Sequence, residues 1–210
     1  MPSEEQDNYI ENITQSVSSL HVEDIDNISD DKRFKQKIDW CLKNPYNPEG
    51  RKCTKKEINT WKEEEKIWGN RMIYKTDCKM WAASLGEGIV KEVLKRMGKN
   101  PRKPSKINGY QPDLETDEFI IEVKTRSWNT SGTAGEKVLG CPLKYAEIPS
   151  SYHKPLRIVC VAYQEHELTY GTTCILGEEI RSEHKKYIEF YQSNEIEFIP
   201  FSELIKTIKI

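Results

Sequence analysis

Apolar residues recur along this chain in two rhythms. Between Lys79 and Gly98, Trp81, Leu85, Ile89, Val90, Val93, Leu94 and Met97 fall at helical spacing, and Gly98 is placed to stop the helix. Phe119, Ile120, Ile121 and Val123 instead form an almost unbroken β-rich run, the pattern of a mostly buried strand. Leu156–Tyr163 is a second such run, Thr172–Leu176 a third and Glu195–Ile199 a short fourth. Thr54, with Glu57 three residues on, predicts a capped helix over Lys55–Trp68, whose Trp61 and Trp68 share a face. Pro142 predicts the start of a short helix carrying Lys144 and Tyr145. Glu178–Tyr191 reads as an exposed helix, and Ser202 as the cap of a last helix over Glu203–Thr207. The order is helix, β-hairpin, helix, strand, strand, helix. It predicts an α/β fold with a mixed sheet flanked by helices, plus a small helical N-terminal module.

Two charges break the apolar run at 119–123 and its continuation. Glu122 and Lys124 lie two apart and therefore on one face of the strand. Buried charges are costly unless paired or holding a metal. Upstream stand Pro112-Asp113 and a polar turn, Glu115-Thr116-Asp117-Glu118. A tight hairpin centred between Asp117 and Glu118 sets Asp113 across from Glu122, with Cβ atoms roughly 5 Å apart. Two carboxylates and a lysine at one point suit a divalent metal and a phosphate. Phosphodiester hydrolysis needs charge neutralisation and an activated water, which Mg²⁺ held by few protein oxygens provides. Asp113, Glu122 and the Val123 carbonyl can hold Mg²⁺, and Lys124 can orient or deprotonate water or stabilise phosphate charge. Two further Glu-x-Lys triplets, Glu64-Glu65-Lys66 and Glu183-His184-Lys185, lie in polar helical runs and read as solvated faces. Gly86 and Gly88 interrupt the 79–98 helix at about 1 kcal/mol each, which calls for a close approach of backbone or ligand, and Glu87 lies between them.

The net charge of −2 hides an asymmetry: residues 1–31 carry nine Asp or Glu and no Lys or Arg, leaving 25 acids against 32 bases in the remainder. The arm is expected to be disordered. It reads as a solubilising tail, with a mimic of DNA phosphate or a partner-binding tail as alternatives. Residues 32–78 form a basic, aromatic region around the turn Asn44-Pro45-Tyr46-Asn47-Pro48-Glu49-Gly50-Arg51. The six Cys include no CxxC pair and the four His are scattered, which argues against zinc. Cys160 and Cys174 read as core thiols. With no long apolar window and no apolar leader, the expectation is an intracellular protein, in the cytoplasm or a host nucleus, neither secreted nor membrane-bound.

At Pro112-Asp113 and Glu122-Val123-Lys124 the chain resembles the PD-(D/E)xK nuclease superfamily, over roughly residues 79–176. The segment Glu122-Val123-Lys124-Thr125-Arg126 and the following Ser131-Gly132-Thr133-Ala134-Gly135-Glu136-Lys137 look most like type II restriction endonucleases, including those of large DNA viruses. The resemblance implies a restriction-endonuclease-like core at 79–210 and a homodimer that cuts double-stranded DNA. It implies Asp113 and Glu122 as Mg²⁺ ligands, Lys124 as catalytic, and Glu87 as the acidic residue of the preceding helix. Trp40-Cys41, Asn44-Pro45, Asn47-Pro48-Glu49-Gly50-Arg51 and Cys78 also resemble a two-cysteine adaptor domain of large DNA viruses, lacking its Thr before the Gly. That implies an interaction module binding DNA or a protein. Lys99, Arg102, Lys103, Lys106, Arg126, Lys137 and Lys144 are candidates for phosphate neutralisation, and Arg126, Asn129, Thr130 and Ser131 for base-edge contacts. Trp128 packs under this loop or wedges into DNA. A structure-specific resolvase, homing or repair nuclease is the alternative within the same chemistry. A non-catalytic DNA-binding adaptor is the alternative outside it.

Overall fold

The computed structural model describes residues 28–130, 136–172, 174–178, 180–206 and 208. The chain divides into two units, Met1–Arg33 and Phe34–Ile210. Most of the acidic arm lies outside the described residues. Its last two acids do not extend a disordered tail: Asp30 and Asp31 open helix α1, Asp30–Leu42. There Ser29 Oγ accepts the Lys32 N–H at 3.3 Å, and both acids sit at the positive end of the helix dipole.

The second unit is built on a four-stranded mixed sheet in the order β1 (Leu114–Glu115), β2 (Ile120–Arg126), β3 (Leu156–Ala162), β4 (Ile196–Pro200). β1 and β2 are antiparallel, with Leu114 opposite Ile121 and Glu115 opposite Ile120, the register that a turn at Asp117-Glu118 dictates. Thr116 makes that turn: its N–H donates to Phe119 O at 2.9 Å and its Oγ1 accepts the Phe119 N–H at 3.0 Å. β2–β3 and β3–β4 are parallel. Side chains alternate across the sheet. Ile120, Leu156, Ile158, Cys160, Ile196 and Phe198 face one core with Val138, Cys141, Tyr145, Ile148 and Leu168. These last belong to α4 (Glu136–Leu139), α5 (Cys141–Lys144) and its end, α6 (Ile148–Tyr152) and α7 (Tyr163–Tyr170). Thr125, on the alternate face, meets α3 (Trp81–Arg96) at Gly86. A Cβ on Gly86 would overlap Thr125 Oγ1 and lie 2.8 Å from Thr125 Cβ. Gly86→Ala should therefore destabilise the protein by about 1–3 kcal/mol, measured by denaturant unfolding. Gly88 faces open space, so close packing explains only one of the two glycines.

Four sequence expectations for the C-terminal third change. Residues Cys174–Leu176 are loop rather than strand, because the Ile175 and Leu176 N–H groups both donate to Leu168 O, at 2.9 and 3.0 Å, and tie the segment to α7. α7 itself had no clear periodic signal. It starts where Ala162, at φ 57°, turns the chain out of β3. Cys174 is consequently half-buried, whereas Cys160 is a core thiol as expected. The exposed helix α8 is shifted to Ser182–Ser193 and buries none of its residues. The last helix, α9 (Phe201–Ile205), is not capped by Ser202. The Ser202 N–H donates to Glu165 Oε2 at 3.1 Å, so a carboxylate from α7 serves the helix start.

Helix α2, Lys55–Met72, carries the expected capping box, with Thr54 and Glu57 bonded reciprocally. The preceding turn is held by two asparagines. Asn44 Oδ1 accepts the N–H groups of Tyr46 (2.9 Å) and Asn47 (3.1 Å), and the Asn47 amide bonds both the N–H and the carbonyl of Arg51. Trp40 is buried against Trp68 and Trp81, each with ring centroids 5.7 Å away. Trp81 lies over Gly69, where any side chain would overlap its ring. Tryptophans of α1, α2 and α3 thus form one cluster.

Candidate active site

Leu114 pairs with Ile121, and Asp113, one residue before it, lies near enough to Glu122 for the two charges to interact. β1 begins only at Leu114, and the Val123 N–H donates to Asp113 Oδ2 instead, at 2.8 Å. Glu122 is 4 % exposed. Its Oε1 accepts from Lys124 Nζ at 2.5 Å and from the Tyr145 hydroxyl at 2.8 Å. Tyr145 Oη in turn accepts from Lys144 Nζ at 3.0 Å.

Burial raises the Asp113 pKa to about 6, helped by the nearby charge of Glu122 and then by that of Glu87 on α3, against the Val123 N–H and Lys124. Glu87 is therefore electrostatically part of this cluster. Burial works to lower the Lys124 pKa, but the charge and hydrogen bond of Glu122 outweigh it and hold the amine above its usual value. Lys124 is thus an ammonium at neutral pH, suited to orienting water or stabilising phosphate rather than to removing a proton.

The donor set fits a hard divalent cation. Among the described residues no group of three or more His, Cys, Asp and Glu stands where it could hold a metal ion. Asp113 and Glu122, two neighbouring carboxylates, are a smaller, all-oxygen set of the kind Mg²⁺ can use while keeping several waters. The folded chain favours protonated Asp113. That contribution to stability is present below pH 3.8 and is lost as pH rises through about 6. A cation needs the carboxylate. Mn²⁺ or Mg²⁺ affinity should therefore climb through about pH 6 and release a proton on binding below it. Calorimetry in buffers of different ionisation enthalpy measures both, and Asp113→Asn should erase the step.

The proposed DNA-contacting residues separate into two groups. Lys103, Lys106, Lys137 and Lys144 are exposed. Lys99 and Arg102, in the same basic loop, are ion-paired to Glu118, Glu115 and Asp117 of the hairpin. Arg126 is 7 % exposed, paired with Glu167 at 2.6 Å and stacked over Tyr163 at 4.8 Å. Reaching a base edge would require breaking those contacts. Thr130 bonds Ser127 through the two hydroxyls, and Ser131 lies outside the described residues. Asn129 is also engaged internally, by a residue expected to be solvated.

That residue is Glu65, only 1 % exposed. Its Oε1 accepts from Trp40 Nε1 (3.0 Å) and the Trp128 N–H (2.8 Å), and its Oε2 from the Asn129 N–H (3.1 Å) and Nδ2 (3.0 Å). Trp128 is buried and donates its indole N–H to Trp40 O at 2.7 Å, so it packs under the loop. Sequence reasoning read Glu65 as solvated and assigned Tyr145 no role at the site, whereas both are held by buried hydrogen bonds. No helix among the described residues is long and apolar enough to cross a membrane. No protein-family model, curated protein or solved structure matches this chain.

Proposed function

We propose that this chain is a Mg²⁺-dependent endonuclease with a restriction-endonuclease-like core, hydrolysing phosphodiester bonds of double-stranded DNA at defined sequences. It acts as an intracellular homodimer in which each subunit cuts one strand. The observation that carries the reading is that Asp113 lies near enough to Glu122 for the two charges to interact, while Lys124 reaches Glu122 Oε1 at 2.5 Å. Asp113, Glu122 and the Val123 carbonyl would hold the metal. Bound there, Mg²⁺ supplies charge neutralisation at the phosphate and a more acidic water. Lys124, kept charged by Glu122, would orient a water at the phosphate and stabilise the charge that builds on it. Glu87 adds negative charge near Asp113 and strengthens the attraction for a cation. Exposed Lys103, Lys106, Lys137 and Lys144 neutralise flanking phosphates.

The test is incubation with supercoiled plasmid, linear duplex and a four-way junction in Mg²⁺, followed by sequencing of the ends. Discrete ends shared by plasmid and linear duplex support the restriction reading. Cleavage confined to the junction moves the protein to the resolvase branch. Binding without cleavage of any substrate overturns the catalytic assignment.

A further inference from the structure

We infer that Tyr145 is a positioning residue for the cation ligand Glu122, an inference that rests on the proposed endonuclease reading and deepens it. Two donors converge on one oxygen. Glu122 Oε1 accepts both the Tyr145 hydroxyl, at 2.8 Å, and Lys124 Nζ, at 2.5 Å. The terminal torsion of a glutamate is otherwise broad and roughly two-fold. With both donors on one side, the carboxylate is fixed in rotation, and Oε2 is the oxygen presented to a cation.

Tyr145 is itself held in place. Its ring is buried, edge-on to Tyr110 with centroids 6.2 Å apart, and its backbone N–H donates to Cys141 O at 2.9 Å at the end of α5. Its hydroxyl accepts from the Lys144 ammonium at 3.0 Å, which can only donate. The single hydroxyl proton is thereby directed at Glu122. Lys144 and Lys124 lie 4.6 and 5.9 Å from the Tyr145 ring centroid, so the aromatic face also steadies both cations. Donors behind a metal ligand set its orientation, and their loss typically costs 10–100-fold in metal affinity.

Tyr145→Phe keeps the ring and its packing and removes only the hydroxyl. The experiment measures Mn²⁺ affinity of the full chain by calorimetry, and cleavage kinetics across Mn²⁺ concentration. The expected result is a roughly 10-fold weaker Mn²⁺ affinity. Turnover should fall at low Mn²⁺ and recover at saturating Mn²⁺, with KM for DNA unchanged within about two-fold. Tyr152→Phe is the control. It removes a hydroxyl that donates to the carbonyls of Ser105 and Tyr110, and it should leave Mn²⁺ affinity unchanged. Wild-type Mn²⁺ affinity in Tyr145→Phe, or an equal loss in both variants, overturns the inference while leaving the endonuclease reading intact. A wild-type chain that neither binds Mn²⁺ nor cleaves DNA overturns both.

Discussion

Asp113→Asn is expected to abolish Mg²⁺-dependent cleavage, a fall of about 10³-fold or more, while making the metal-free protein more stable at pH 8. The opposite signs share one cause. Asp113 is partly buried beside Glu122, and burial with that neighbouring charge lifts its pKa to about 6. Its carboxylate is thus held in an unfavourable place at neutral pH, which a cation would relieve. Asparagine keeps an acceptor for the Val123 N–H and removes the charge. A rise of a few degrees in melting temperature without metal should accompany the loss of activity. DNA binding in Ca²⁺ should persist, since the exposed lysines are untouched. Thermal melts with and without Mg²⁺, run beside single-turnover cleavage, check both halves. Retained cleavage would remove Asp113 from the chemistry. Lost cleavage with a lowered melting temperature would make it a structural residue. Lys124→Ala should lose cleavage as well, but with reduced stability, because Glu122 then keeps its burial and loses its cation.

The largest stability effect is expected at Glu65. Glu65→Ala leaves four donors, on Trp40, Trp128 and Asn129, without their acceptor inside the protein. Each buried donor left unsatisfied costs roughly 1–3 kcal/mol, so the loss comes to several kcal/mol, which for a unit of this size lowers the melting temperature by about 10 °C. Glu65→Gln should also destabilise, though less, because one oxygen becomes an NH₂ that faces donors. Burial raises the Glu65 pKa, against the pull of its donors. The folded chain therefore favours its protonated form, so that this residue's share of stability is greatest below pH 4.5 and declines as pH rises above it. Trp128 lies in the loop that Glu65 holds, so its fluorescence should shift in both variants before global unfolding. Unchanged denaturant midpoints in both variants would show that the four bonds contribute nothing net.

The hairpin was legible because three local rules agree. The apolar run at 119–123 marks the strand, Thr116 to Phe119 supplies the turn, and a period of two assigns the faces. Together they bring Asp113 near Glu122. The Gly86 contact was legible in kind, since a glycine inside a helix calls for a neighbour, but Thr125 could not be named from it. Tyr145 escaped because it lies 23 residues from Glu122, and nothing in a helix pattern says where its hydroxyl points. Glu65 left one trace: with Gly69 and Met72 it shares the buried face of α2, so its spacing contradicts a solvated side chain. Arg126 and Asn129 have the residue types of DNA readers, but type alone does not distinguish a side chain turned outward from one paired with Glu167 or Glu65.

The sequence by itself determined the strands and helices whose apolar period is long and unbroken, the antiparallel register of β1 and β2, and the closeness of Asp113 to Glu122. Each follows from interactions among neighbours in sequence, where geometry leaves few choices. Only the tertiary structure decided the parallel sheet order, the binding of Cys174–Leu176 to α7 instead of the sheet, and the partners of Glu65, Tyr145 and Arg126. Those depend on contacts between segments tens of residues apart. There, burial and hydrogen-bond satisfaction select one arrangement from many that local preference permits equally.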